Sequence, residues 1–249
     1  LASARPAAAD PAGGAPVDLA TLPSLGGRPT GPIQVHAADA DAGRLRNLIA
    51  GVAKVNVIEP PLAGTRISGR ITGDAAALTR ALAAGGFGAP ARPLARKGKG
   101  PDVDLDFTGA DRDDLMRMLA LVSRINVVIA APGRQTLDVR VRRMPAGGVL
   151  DVAVARLGLE RTTHGTLTWL RAAGGPTLDR KLLALKGPRK VTLDVVGARA
   201  GEVYALLAAL GAEVGGAACG AGAPITFQLR DAPVGAAVAV AAALSGQPP

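Results

Sequence analysis

Residues 103–170 read VDLDFTGADRDDLMRMLALVSRINVVIAAPGRQTLDVRVRRMPAGGVLDVAVARLGLERTTHGTLTWL, and strand and helix patterns follow one another along them without interruption. Val103, Leu105 and Phe107 alternate with polar residues, which is typical of a strand that buries one face. Apolar residues then recur at i, i+3, i+4 and i+7, as one face of a helix requires: Leu115, Met118, Leu119 and Val122. The remaining strand patterns lie at residues 125–129, 137–141, 159–162 and 167–170.

Start signals mark both predicted helices, and a stop signal marks the second. Asp111, Asp113 and Asp114 fall in the first turn of the first helix, where free backbone N–H groups and the helix dipole favour negative charge. Pro145 suits the first turn of the second helix because its missing N–H costs nothing there, and Gly158 suits the end of that helix. The order of elements is therefore β-α-β-β-α-β-β, which predicts a small α+β domain.

The pattern of this stretch recurs on both sides of it. When Ile33, Val103 and Val191 are placed at a common origin, bulky residues of three segments fall into register. Twelve residues further on lie Leu45, Leu115 and Val203, and thirty-four further on lie Ile67, Leu137 and Ile225. We therefore predict an α+β protein of three tandem βαββα domains, of which the central one has an extra C-terminal hairpin.

The repeat divides the chain into six predicted segments. They are a disordered Ala/Pro/Gly-rich lead (1–31), copy one (32–90), a basic linker (91–101), copy two (102–171), a second basic linker (172–189) and copy three (190–249). Copy three ends where its hairpin would begin, so the chain is interpreted either as a mature protein or as a fragment. The sequence begins with Leu1 and not with Met, which we interpret as a mature or trimmed chain, in which a removed signal peptide would not be visible.

The net charge of +9 is concentrated in the predicted linkers. Residues 92–99 and residues 179–190 each carry a net charge of +4. A folded basic groove for nucleic acid is therefore not expected, and we predict no specific nucleic-acid partner. Contact between a basic linker and an anionic polymer, such as a cell-wall glycan or lipid headgroups, remains an open alternative.

The sequence offers little for catalysis. His36 and His164 have no Cys or second His at ligand spacing, and Cys219 is the single cysteine. No serine stands in a nucleophile-elbow context, and the glycine-rich pieces match no phosphate or dinucleotide fingerprint. We predict no enzyme activity, no cofactor, no metal site and no small-molecule substrate.

Several core positions of residues 103–170 form a pattern that is more specific than simple periodicity. They are Val103–Phe107, Ala110-Asp111, Asp114-Leu115, Leu119, Ile125–Val128, Leu137–Val141, Pro145, Leu150 and Leu157–Leu159. This pattern resembles the secretin and TonB N-terminal domain, the periplasmic domain that precedes the channel in type IV pilus and type II secretion secretins. The resemblance extends more loosely to residues 33–88 and 191–246.

The resemblance implies a periplasmic location at the outer membrane and a structural role. The expected partners are an outer-membrane secretin or other proteins of a pilus or secretion machine, and the expected assembly is a homo-oligomeric ring. One alternative is a signalling-type binding module that contacts a membrane regulator or a TonB-dependent receptor, although that use has a single domain. Another is RNA binding by a KH-like fold, which would need a Gly-x-x-Gly loop between adjacent helices.

Copy two carries opposite charges at its two ends. Acidic residues open its first helix, and basic residues lie on the far side of its third strand: Asp111, Asp113 and Asp114 against Arg140, Arg142 and Arg143. We predict that these six residues form a protomer interface in which opposite charges set the register of a ring. Two solvated faces are the alternative interpretation.

Overall fold

A computed structural model describes residues 32–62, 64–185, 190–214 and 224–249. The predicted lead (1–31), the end of the second predicted linker (186–189) and Cys219 lie outside the described residues. The fold is α+β, as predicted from the sequence. The division into three domains with the boundaries given above stays a prediction.

In copies one and two, strands and helices succeed one another in the predicted order. In copy three, the described residues contain no counterpart of the strand predicted directly after the first helix, and residues 215–223 lie outside the described residues. Copy one contains β1 (Ile33–Asp41), α1 (Ala42–Ala53), β2 (Val57–Glu59), β3 (Arg66–Gly73) and α2 (Ala75–Ala84). Copy two contains β4 (Asp102–Asp111), α3 (Arg112–Ser123), β5 (Asn126–Ala130), β6 (Thr136–Pro145), α4 (Ala146–Arg156), β7 (Glu160–His164) and β8 (Leu167–Arg171). After α5 (Arg180–Leu183), copy three contains β9 (Lys190–Ala198), α6 (Ala200–Ala209), β10 (Ile225–Pro233) and α7 (Val234–Ser245).

The backbone of the first strand repeats as closely as its sequence. β1 pairs antiparallel with β3, β4 with β6 and β9 with β10. The pairings of copies two and three shift register near Arg143 (47°) on β6 and Asp231 (48°) on β10. All three pairings also shift around one residue of positive φ in the first strand, at Asp39 (47°), Gly109 (68°) and Gly197 (62°). These three residues are each six positions from the common origin, so the same β-bulge bends the first strand of every copy.

The strand that follows the first helix of copy one pairs with a strand of copy two. β2 pairs antiparallel with β6, on the edge opposite β4, so copy one completes a three-stranded sheet in copy two. β5 pairs in parallel with β8, which pairs antiparallel with β7. The apolar periodicity predicts that β2 and β5 are buried, but it does not identify the strands with which they pair.

The buried side chains form three clusters, and individual strands at the junctions each contribute to two clusters. Val57 lies in the core of copy one, whereas its neighbour Ile58 lies in the core of copy two. Val128 and Trp169 of copy two lie in the core of copy three, whereas Leu170 lies in that of copy two. Alternate residues of one strand therefore connect successive copies, since neighbouring side chains point to opposite faces.

The buried face of α3 differs from the predicted stripe at three positions. Leu115 and Leu119 are buried as predicted, but Met118 and Val122 are only partly buried. Met116 is fully buried instead. The reason is that α3 packs against both α4 and β5, which requires a wider apolar face than one i, i+3, i+4, i+7 stripe. Phe107, predicted on the buried face of its strand, is 40% exposed.

Both segments interpreted as linkers pack on their neighbours. In the first, the N–H of Leu94 donates to the Asn56 carbonyl oxygen at 2.8 Å, and the Lys99 carbonyl oxygen accepts from Gly147 at 3.0 Å. In the second, α5 packs on α7, where the Leu182 carbonyl oxygen lies 2.6 Å from the position of a Cβ on Gly235. Charged and flexible composition therefore does not make these described segments free tethers.

Candidate protein-protein interface

The acidic end of the predicted interface is a capped helix start. The Asp111 carboxylate accepts the N–H groups of Asp113 and Asp114 at 2.9 and 3.3 Å, which satisfies two backbone donors of α3. Asp113 pairs with the buried Arg112 at 2.7 Å, and Asp114 lies 4.0 Å from Arg117. These residues line a polar depression of about 410 Å³. The negative charges are thus largely matched by arginines of the same helix.

The basic end of the predicted interface is paired with acidic residues of the neighbouring strand. Arg140 forms an ion pair with Asp106, and Arg142 lies 3.6 Å from Asp104. The Asp104 carboxylate also accepts the N–H of Arg143 at 2.6 Å. Burial lowers the pKa of the Arg140 guanidinium, the charge of Arg142 lowers it further, and Asp104 opposes both. The alternation of Asp on β4 with Arg on β6 therefore forms cross-strand pairs on one sheet face.

The acidic set begins at the last residue of β4, whereas the basic set lies on β6 beside Asp104 and Asp106 of β4. Asp104 and Asp111 are seven residues apart on this strand, which corresponds to roughly 20 Å at the usual rise of a strand. The structure therefore does not bring the two sets together within the chain, and the predicted pairing between neighbouring protomers stays a prediction.

The basic set instead lies where copy one meets copy two, which we call the first junction. A Cβ on Gly51 of α1 would come within 2.7 Å of the Arg140 guanidinium, so the glycine makes room for this side chain. Asn56 accepts the N–H of Arg142 at 2.7 Å and donates to its carbonyl oxygen at 3.2 Å. Arg140 and Arg142 therefore contact copy one.

A buried ion pair lies at the centre of the first junction. Arg46 of α1 and Asp138 of β6 are 2.7 Å apart, and both side chains are 1% exposed. Arg46 also donates to the Pro60 carbonyl oxygen at 2.7 Å, and Asp138 also accepts the N–H of Gly109 at 2.8 Å. Since a buried charge is costly without a partner, each copy stabilises a charge that belongs to the other.

A second polar contact secures β2 from the other side. Arg156 of α4 donates to the Ile58 carbonyl oxygen and pairs with Glu59, both at 2.9 Å. Glu59 also accepts the N–H of Arg92, in the first predicted linker, at 2.9 Å. The short strand β2 is thus held by β6 on one edge and by side chains of copy two at its end.

Copy two meets copy three at the second junction, which repeats only part of this arrangement. Asn126 accepts the N–H of Arg230 at 2.7 Å and donates to its carbonyl oxygen at 3.0 Å, as Asn56 does with Arg142. Within the described residues, however, no β-ladder joins β5 to β10, and a groove of about 450 Å³ lies between α3 and β10. The positions equivalent to the buried ion pair are occupied by Met116 and Thr226.

The sequence contained a signal for the junctions that its periodicity did not reveal. Asn56 and Asn126 occupy the same position of two copies, each between apolar residues of a predicted buried strand. A buried side-chain amide requires hydrogen-bond partners. The partner, however, is a backbone group 86 or 104 residues away, which only the structure identifies.

Over the described ranges, no three His, Cys, Asp or Glu side chains come close enough together to hold a metal ion. His36 lies on β1 and His164 ends β7. The helices in these ranges lack the length and apolar character needed to cross a membrane. Comparison with known protein families and with curated proteins finds no match for this chain.

Proposed function

We propose that this protein is a non-enzymatic structural component of the bacterial periplasm, a ring-forming or docking part of a secretin-linked type IV pilus or secretion system. The observation that carries the proposal is the exchange of β2 into the sheet of copy two. A domain whose sheet is completed by its neighbour has a fixed orientation relative to that neighbour. A scaffold requires such a fixed orientation.

The first junction supports a mechanical role through the kind of contacts it makes. It combines a β-ladder, a shared core at Ile58 and the buried pair of Arg46 with Asp138. Interfaces between independent domains of one chain are ordinarily more polar and permit relative motion. A core residue and a buried charge pair across the junction oppose such motion, because separation would expose both.

The resemblance to secretin N-terminal domains gives this scaffold its proposed setting. The partners are then an outer-membrane secretin or other proteins of the pilus or secretion machinery, and the working form is a homo-oligomeric ring beside the channel. The alternative is a signalling-type module that contacts a membrane regulator or a TonB-dependent receptor.

Purification of the chromosomally tagged protein from the cell envelope of its source organism tests this proposal. We expect a channel-forming outer-membrane protein to co-purify with it, and negative-stain images to show rings that contain both. Recovery of the protein in the cytoplasm, or without any channel protein, contradicts the proposal. Recovery with a TonB-dependent receptor in equal amounts supports the signalling alternative instead.

A further inference from the structure

Copy one presents a strand edge that is covered in copy two. β6 is flanked by β4 on one edge and by β2 on the other. Its counterpart β3 is flanked by β1 alone among the residues that the structure describes, and most of its side chains are exposed. Free N–H and C=O groups on a strand edge favour pairing with another strand. We call this edge the acceptor edge.

Copy three presents, at the other end of the chain, a helix face that is covered in copy one. Ala205 and Ala209 of α6 stand at the positions of Asn47 and Gly51, which contact copy two in the first junction. Both alanines are exposed, and beside them Leu206 and Leu210 are 47% and 43% exposed. We call the exposed face formed by residues 205, 206, 209 and 210 the donor face.

The charges of the two ends are complementary. Arg70 on β3 corresponds to Arg140, but Gln34 and His36 stand where copy two has the aspartates that pair with its arginines. Arg66 pairs with Asp39, whereas Arg70 has no ion pair among the described residues.

The opposite charge lies immediately after α6. The N–H of Ala212 closes this helix with a bond of 2.9 Å to the Leu207 carbonyl oxygen, as Val55 and Ile125 close α1 and α3. The next residue of each copy is Asn56, Asn126 and Glu213, respectively. Glu213 is exposed, and it therefore places a carboxylate where the other copies place the asparagine of a junction.

We propose that the donor face of one molecule, with Glu213 beside it, binds the acceptor edge of a second copy of this chain, so that α6 lies against β3 as α1 lies against β6 in the first junction. Glu213 then lies at the backbone of Thr72, which corresponds to Arg142, and close to Arg70. The contact is head-to-tail, so it closes into a ring or extends into a filament according to its rotation. This inference rests on the proposed function and names the contact from which the ring is built.

A second copy fits these surfaces because the contact continues an interface that already exists inside the chain. The match is weaker than the internal one, since a carboxylate accepts the N–H of Thr72 but cannot donate to its carbonyl oxygen as an asparagine does. The free chain is therefore expected to associate in a concentration-dependent manner.

Cross-linking of two singly labelled proteins tests the contact directly. Thr72→Cys and Glu213→Cys are each made in a Cys219→Ser background, so that each protein carries one thiol, and a short bismaleimide is added. We expect a covalent dimer when the two proteins are mixed and none with either protein alone. Dimers of the Thr72→Cys protein alone indicate edge-to-edge pairing and overturn the proposal, as does the absence of any dimer.

Charge reversal provides a second, independent measurement by sedimentation velocity over a range of concentrations. Arg70→Glu and Glu213→Arg should each weaken self-association by roughly tenfold, because each places like charges together, and the combination should restore it. Arg80→Glu on α2 is the matched control and should leave self-association unchanged. Equal effects of Arg70→Glu and Arg80→Glu would show that the change in net charge alone weakens self-association, which would overturn the assigned pairing.

Deletion of residues 1–31 tests whether this segment of the same chain, and not a second copy, covers the acceptor edge. If the cross-link forms only after the deletion, the lead covers the acceptor edge and the proposed contact between copies is wrong for the full chain. Failure of the cross-link leaves co-purification with a channel protein unaffected, so the two proposals fail by different observations.

Discussion

At the scale of single residues, Arg46 and Asp138 form the one ion pair among the described residues in which both side chains are almost fully buried. Both side chains are removed from water, and the Nε atom of Arg46 has no hydrogen-bond partner among the described residues. The attraction between two buried charges often only offsets the cost of their dehydration. The pair is therefore better explained as a device that fixes the orientation of the two copies than as a source of stability.

The second junction supplies the replacements that test this explanation. Arg46→Met leaves Asp138 buried without its partner and should lower the free energy of unfolding by roughly 3–5 kcal/mol. Adding Asp138→Thr reproduces the Met116 and Thr226 pair of the second junction and should recover most of that loss. Urea denaturation of both variants measures the difference. A double variant no more stable than Arg46→Met would show that the ion pair itself stabilises the fold.

Tyr204 gives a pH-dependent test of the core of copy three. It is the only tyrosine of the chain, it is 1% exposed, and its hydroxyl donates to the Gln247 carbonyl oxygen at 2.8 Å. Burial raises the pKa of the Tyr204 phenol above its ordinary value, and a hydrogen bond with Ser245 opposes this effect. The ultraviolet absorbance of the phenolate should therefore appear only above pH 10, the usual pKa being about 10.

The sign of the linked stability effect follows from this raised pKa. The stability that neutral Tyr204 contributes is fully present below the unfolded pKa and is lost as pH rises through the folded pKa. Tyr204→Phe should remove that part of the alkaline pH dependence while leaving the neutral-pH structure intact. A phenolate titration at the ordinary pKa would contradict the burial of the ring.

Among individual residues, local signals were predictable and distant partners were not. Asp111 caps α3, and Gly158 follows α4 with a φ of 64°, because both roles depend only on residues nearby in sequence. Asn56 and Arg142 were each visible in the sequence, but their contact depends on how two copies pack. Two of the six predicted interface residues, Arg140 and Arg142, contact copy one, and this contact also depends on how the two copies pack.

At the scale of elements, β2 shows how a strand of three residues is held in place. All three of its residues are buried, and successive side chains serve the cores of two copies. A strand that is buried on both faces has a continuous apolar pattern rather than an alternating one. The run Val57-Ile58 therefore predicts burial, but its partner strand comes from tertiary packing.

The docking of the first predicted linker on α4 depends on two glycines at the start of that helix. A Cβ on Gly148 would overlap the Lys97 carbonyl oxygen, and one on Gly147 would lie 2.6 Å from that of Lys99. Gly148→Ala should therefore displace residues 97–99 and increase tryptic cleavage at Lys97 and Lys99. Gly69→Ala is the matched control, since a Cβ there meets nothing within 4 Å. Equal cleavage of both variants and the parent would show that this segment is not docked.

The sequence predicted the elements better than their arrangement. Each helix and strand expected in residues 103–170 is present, because apolar periodicity and end signals are local properties. The parallel pairing of β5 with β8 and the exchange of β2 are long-range contacts, and periodicity does not encode them. The sequence composition of the linkers likewise did not indicate their docking on glycines of the neighbouring copies.

At the scale of the whole molecule, the two junctions are equivalent in sequence position and unequal in packing. Both keep the asparagine contact with a strand backbone, but among the described residues only the first has a β-ladder and a buried ion pair. The second junction instead shares more of its core, since Val128, Ala130, Leu167 and Trp169 of copy two lie in the core of copy three. The first junction is therefore joined by backbone pairing and charge, and the second mainly by apolar packing.

Hydrogen exchange of the Ile58→Ala variant, measured by mass spectrometry, tests the central claim that copy one contributes a strand and a core residue to copy two. Ile58 belongs to copy one by sequence but to the core of copy two by position, whereas Val57 belongs to the core of copy one. We predict that Ile58→Ala accelerates exchange in residues 137–157 of copy two, and that the matched control Val57→Ala acts mainly on α1 and α2. Faster exchange confined to residues 32–90 in both variants would contradict the account.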